Sequence, residues 1–148
     1  MMLANGLQVV IGCRVPLQIV NGNEMIVAVE VNHSGPYNFL LDTGTQFTMV
    51  DPKLAAEFRL KAGDSVPVDG TGFHGSASSA LLGPVEVGGH AVAHVEAVVY
   101  DLGNLKRVDL AIRGVLGEDF LKHFDMLIDG GHRMLCLDET GTIPRVLR

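Results

Sequence analysis

The residues most able to do chemistry are Asp42-Thr43-Gly44-Thr45, which directly follow the apolar run Tyr37-Asn38-Phe39-Leu40-Leu41. A carboxylate at the end of a buried strand is costly unless neighbouring groups compensate it. Here the compensation is local. Thr43 and Thr45 bring hydroxyls, and Gly44 lets a backbone N–H approach the acid closely. The pattern points to an acid held for proton transfer. The competing reading is a strand-end aspartate that merely shapes a turn.

Other acids and histidines have simpler explanations. Asp129-Gly130-Gly131 lacks a hydroxyl after the acid and reads as a turn. Glu118 and Asp119 fit the first turn of a helix, where the dipole favours negative charge. His90 and His94 share a face if their segment is one strand. They have no third ligand at a sensible spacing, so no metal site is expected. Asp101 to Arg107 reads as a polar loop, and Asp101, Arg107 and Asp109 are candidates for the rim of a cleft.

The elements that must position Asp42 are mostly strands. The chain has 148 residues, is 47% hydrophobic and only 19% charged, and so suits one globular domain spanning 1–148. Eighteen glycines and six prolines indicate many turns. A net charge of −6 without a lysine- or arginine-rich face argues against a nucleic-acid partner. No apolar run is long enough to span a membrane. The first residues lack a basic region before the apolar stretch and make a poor signal peptide. A native N-terminus therefore implies a cytoplasmic chain, and a removed signal or anchor implies a periplasmic or exported one. Cys13 and Cys136 are expected as two buried thiols.

Short strands are expected at Leu7–Ile11 and Val15–Val20, and Met25–Val31 alternates with period two. Asn32 to Pro36 reads as a turn leading to a strand over Tyr37–Leu41. Asp51-Pro52 marks a helix start, with Leu54, Ala55 and Phe58 facing inward and Gly63 ending it. Val66 and Val68 pair across a glycine-rich tip with Ala80-Leu81-Leu82. Strands follow at Val85–Val87 and Ala91–Val99. Gly114-Val115-Leu116-Gly117 precedes a short helix over Glu118–Phe124. A closing hairpin joins Met126–Ile128 to Met134–Leu137, and Ile143–Leu147 is a further candidate strand. This count, without alternating parallel βαβ units, implies an all-β fold: a closed β-barrel with one or two short helices.

Three elements stand in order: Phe39-Leu40-Leu41-Asp42-Thr43-Gly44-Thr45, the glycine-rich tip at Gly72-Phe73-His74-Gly75, and Gly114-Val115-Leu116-Gly117 followed by Glu118-Asp119-Phe120-Leu121. In this combination the chain resembles the retropepsin-like aspartic proteases, particularly the single-domain bacterial members, from Pro16 to Leu137. The resemblance implies a retropepsin-like barrel and an endopeptidase acting on peptide or protein substrates without metal or cofactor. It implies that Asp42 is the catalytic acid and that Gly44 offers its N–H to the carboxylate. Thr43 would bond across a dimer axis. Gly72, Phe73, His74 and Gly75 would form a flap, and Gly114 to Gly117 would pack beneath the active-site loop.

The chemistry that the resemblance implies needs two carboxylates sharing one proton. With a single Asp-Thr-Gly copy, it implies a homodimer that contributes one Asp42 from each subunit. Thr45 can donate to the ionised carboxylate, so activity is expected to be higher at acid than at neutral pH. The alternative is a catalytically inactive dimer of the same fold that binds peptides or assembles partners. A sugar-kinase-type Asp-Gly-Thr site would need a larger α/β chain with phosphate loops.

Overall fold

A computed structural model describes residues 13–70 and 73–139. The strands expected at Leu7–Ile11 and Ile143–Leu147 lie outside the described residues. The first half of the chain holds β1 (Cys13–Pro16), β2 (Gln18–Val20), β3 (Glu24–Val31), β4 (Ser34–Leu41), β5 (Met49–Val50) and helix α1 (Pro52–Glu57). There follow β6 (Ser65–Gly70), β7 (Phe73–Leu82), β8 (Val85–Val87), β9 (His90–Val92) and β10 (Val95–Val99). After a single 3-10 turn at Gly103–Leu105 come β11 (Ile112–Leu116), α2 (Glu118–Leu121), β12 (Phe124–Asp129) and β13 (Met134–Glu139).

The strands do not close into a barrel. Ten form one sheet in the order β6-β7-β10-β5-β11-β4-β3-β8-β9, with β2 paired on β3, and β1-β13-β12 form a separate three-stranded sheet. The larger sheet ends on β6 and β9, which do not pair with each other among the described residues. The expected closed barrel is therefore corrected to an open, mostly β architecture. Strand count predicts neither pairing nor closure, because both depend on contacts far apart in sequence.

Two pairings in the large sheet are parallel, β4 with β11 and β5 with β10. The first sets Leu41 opposite Leu116, so the ends of these strands lie side by side. The central strands bury both faces. On β4, Phe39 and Leu41 enter one apolar cluster and Leu40 enters another. On β11, Leu116 joins the first cluster, and Ile112 and Val115 the second. Strands covered on both faces read as continuous apolar runs, as Phe39-Leu40-Leu41 does.

Asn32 and His33, at φ 52° and 64°, form the two-residue turn of the β3–β4 hairpin. Strand β4 therefore starts at Ser34, earlier than the turn signal over 32–36 suggests. Helix α1 begins as its sequence indicates, with the Asp51 side chain accepting from Leu54 N at 2.6 Å and Pro52 in the first turn. It ends at Glu57 rather than persisting towards Gly63. Arg59 at φ 55° turns the chain, and Leu60 N donates back to Ala55 O. Likewise α2 stops at Leu121, and Phe124 opens β12 instead of closing the helix.

Asp51 also pairs with Arg113 on β11 (Nε to Oδ2, 3.0 Å), and the same guanidinium bonds Glu57 at 2.8 Å. One acid thus caps α1 and ties it to the central sheet. Asp51→Ala is expected to destabilise the fold by about 2 kcal/mol. Urea unfolding should show a lower midpoint at unchanged slope. An unchanged midpoint would mean that cap and ion pair contribute nothing.

The expected pair of free thiols is also corrected. Cys136 is fully buried and disulfide-bonded, and no described cysteine is free. The backbone sets Cys13 directly opposite Cys136 in the antiparallel β1–β13 pair. Their positions near opposite ends of the sequence conceal that adjacency.

Candidate active site

Asp42 follows β4, and its N–H donates to Leu116 O of β11 at 3.1 Å. The loop then folds back on the carboxylate. Gly44 N donates to Asp42 Oδ1 at 2.8 Å, and Thr45 Oγ1 donates to Asp42 Oδ2 at 2.7 Å. Each carboxylate oxygen thus accepts one bond, and the two bonds fix the orientation of the group. Thr45 is buried, Asp42 is half-buried, and Thr43 and Gly44 are exposed. The acid is held from behind and open in front.

The segment Gly114-Val115-Leu116-Gly117 lies against this loop. A Cβ on Gly117 would come within 2.7 Å of Phe47 O and 2.8 Å of Thr45 O. A Cβ on Gly114 would strike the Phe39 ring and lie 2.6 Å from Met49 O. Glycine is needed at both positions because backbone and core approach so closely. Beyond Gly117, α2 is stitched to the loop: Glu118 N donates to Thr45 O (2.8 Å) and Asp119 N to Gln46 O (3.1 Å).

Two residues outside the predicted set complete this framework. Thr48, fully buried, donates its hydroxyl to Asp119 Oδ1 at 2.6 Å and its N–H to Asp119 Oδ2 at 2.9 Å. The same hydroxyl accepts from Gly117 N at 3.1 Å. Burial raises the Asp119 carboxyl above the ordinary aspartate value, against the opposing effects of the Thr48 bonds and the Lys122 charge. The sequence signal was present, an acid directly before the apolar pair Phe120-Leu121, but a helix start explains it equally well. Its partner lies 71 residues away.

The glycine-rich segment is a hairpin. Strands β6 and β7 pair from Ser65↔Ser78 out to Gly70↔Phe73. It carries Val68 and Ala77 into the apolar cluster that contains Leu40 and Val115. Gly72 lies outside the described residues, as do the side chains of Phe73 and His74. Gly75 sits opposite Val68 at φ 111°, a conformation suited to glycine.

The remaining candidates have local roles. Asp129 accepts from His132 N at 3.1 Å and pairs with His132 Nδ1 at 2.8 Å, closing the β12–β13 turn. Its hydrogen bonds with the His132 side chain and backbone hold its carboxyl below the ordinary value. Asp101 accepts from Gly103 N, Asp109 accepts from Ala111 N and Asn38 Nδ2, and Arg107 reaches Glu24 at 4.0 Å. His90 and His94 do not share one strand, because β9 ends at Val92 and β10 starts at Val95. His90 instead packs edge-on against Phe124, with ring centroids 5.4 Å apart.

Residues 27–120 match the family model described as aspartyl protease. A crystal structure of a retropepsin-like aspartic protease from Rickettsia conorii superposes with a TM-score of 0.60 at 18% identity, covering 90% of this chain and 96% of that one. The retroviral protease-like domain of Ddi1 from Leishmania major gives a TM-score of 0.51 at 19% identity, covering 78% of this chain and 88% of that one. No curated protein sequence matches the chain. The matched model spans β3 to the start of α2, including the held Asp42, its glycine-lined support and the hairpin between them, and the chain belongs to the aspartyl protease family with the retropepsin-like fold.

Proposed function

We propose that this chain is an aspartic endopeptidase, one domain that works as a symmetric homodimer and hydrolyses peptide bonds without a cofactor. Each subunit supplies one Asp42. One carboxylate takes a proton from the attacking water as its oxygen adds to the scissile carbonyl. The other gives its proton to the carbonyl oxygen. The resulting diol collapses, the C–N bond breaks, and the amine leaves with a proton from the pair. Thr43 bonds across the dimer axis. Gly72, Phe73, His74 and Gly75 cover the bound peptide, and Gly114 to Gly117 support the loop from below.

The observation that carries this reading is the Asp42 carboxylate, fixed by Gly44 and Thr45 at 2.8 and 2.7 Å on a loop whose Thr43 and Gly44 remain exposed. A lone aspartate so prepared has no acid partner in its own loop, and twofold symmetry supplies one. The test is cleavage of a mixed peptide library with blockade by a pepstatin-type transition-state mimic, together with solution mass. The reading requires cleavage by a dimer. A strict monomer at high concentration would contradict it.

Thr45 makes the pH dependence specific. Its hydroxyl is the donor that bonds Asp42 Oδ2, and a pair of acids that works with one shared proton is expected to act at acid pH. Wild type is expected to cleave better at acid than at neutral pH. Thr45→Ala should move the profile upward, and Thr45→Ser should restore it. Superimposable profiles for wild type and Thr45→Ala would refute this role.

A further inference from the structure

Behind the active-site loop, on the side of α2, lies a cavity of about 390 Å³. The loop contributes Gln46 and Phe47 to its wall, and Asp119 lines it beside Lys122 and His123. Asp119 is also the last member of a hydrogen-bond chain. Gly117 N donates to Thr48 Oγ1, and Thr48 Oγ1 donates in turn to Asp119 Oδ1. The second carboxylate oxygen takes Thr48 N. Every donor in the chain points towards the carboxylate, so the arrangement suits the ionised acid. Gly117 is the residue packed against Thr45 O, and Thr45 is the residue that holds Asp42.

A proton on Asp119 breaks this order. If it sits on Oδ1, the carboxyl becomes a donor towards Thr48 Oγ1, which already accepts from Gly117. The fully buried Thr48 hydroxyl then loses the acceptor it has in Asp119 Oδ1. If it sits on Oδ2, the acceptor for Thr48 N is weakened. Either way the link between α2 and the active-site loop loosens.

We propose that Asp119 is a positioning residue for the active-site loop, and that loss of its charge, by protons arriving through the cavity behind that loop, sets an acid limit on the activity. The activity limit rests on the protease reading above, whereas the latch itself does not.

Five other titratable groups share the cavity wall with Asp119. Glu118, Lys122 and His123 come from α2 and the residues after it, and His94 and Glu96 from the approach to β10 and from β10 itself. The loop segment adds no ionisable group, and β12, the other strand packed on α2, adds none to the cavity wall. Lys122 favours the charged acid, while burial works against it more strongly. Because the folded-state value is raised, the stability contributed by this group is fully present below the ordinary aspartate range. It is lost as pH rises through Asp119's own titration. Protonation thus loosens the latch without weakening the fold through this group, which separates the effect from acid unfolding.

Two measurements on the full chain test the proposal. In wild type, NMR titration should show the amides of Thr48 and Gly117 shifting with the same midpoint as the Asp119 carboxyl carbon. Flat Thr48 and Gly117 responses through that titration would refute the latch, whether or not any peptide is cleaved. For activity, three groups per dimer must be ionised on the acid side, one in the dyad and Asp119 of each subunit. The acid limb of log kcat/KM should therefore steepen towards a slope of about three in wild type and stay at about one in Asp119→Asn. Equal slopes with a folded variant would overturn the acid limit. Coupled shifts in a protein that cleaves nothing would support the latch and refute the protease reading.

Discussion

Asp42→Asn is expected to lower kcat by at least about a thousandfold while leaving the fold intact. Asparagine is nearly isosteric with aspartate and can still accept from Gly44 N or Thr45 Oγ1, so the loop keeps most of its internal bonding. It cannot take a proton from water or share one with a second carboxylate. Removing the acid from both subunits therefore removes base and acid together. Asp42 is only half-buried, and its loss leaves no unpaired charge in the core. The comparison is made on a mixed peptide library from about pH 3.5 to about pH 7, with circular dichroism as the control for folding. Residual cleavage within about tenfold of wild type, in folded Asp42→Asn, would remove Asp42 from the chemistry.

The second large effect is structural and lies behind the acid. Gly117→Ala places a methyl group within 2.8 Å of three backbone atoms, Phe47 O, Phe47 C and Thr45 O. No side-chain rotation relieves such a contact, so either the loop or the start of α2 must move. Overpacking of this kind costs about 1 to 3 kcal/mol. Movement of Thr45 by as little as about 1 Å displaces the hydroxyl that holds Asp42 and is expected to reduce kcat about a hundredfold. Both losses should appear together, in urea unfolding and in kcat at saturating substrate. Unchanged stability and turnover would show that the loop yields easily and that Gly117 is not needed for close approach.

The contrast between Asp42 and Asp119 shows what the sequence makes legible. The motif Asp42 to Thr45 is local: the two groups that bond the carboxylate lie two and three residues from it, so composition and spacing expose them. Period-two alternation identified β3, and Asp51-Pro52 marked the start of α1, for the same reason. Thr48 and Asp119 are joined only because β4 and β11 run parallel and bring Leu41 beside Leu116. That pairing leaves no trace in any window of the sequence. The same limit explains the closed barrel, which was inferred from strand number, and the two buried thiols, whose strands pair although nothing local in the sequence joins them. Arg113 is a further case. It links Asp51 and Glu57 of the α1 region, 62 and 56 residues earlier in the chain, to the sheet that carries the site. Local chemistry was thus readable from residues, and its scaffolding became readable only from topology.

The central claim is that the active site is shared between two copies of the chain. It is tested most directly by mixing wild-type and Asp42→Asn subunits in varying proportion, allowing exchange, and measuring cleavage at fixed total protein. If each site needs both carboxylates, activity should follow the square of the wild-type fraction, falling to about one quarter at equal mixing. Activity that declines in direct proportion, to about one half at equal mixing, would show that each chain acts alone and would contradict the account.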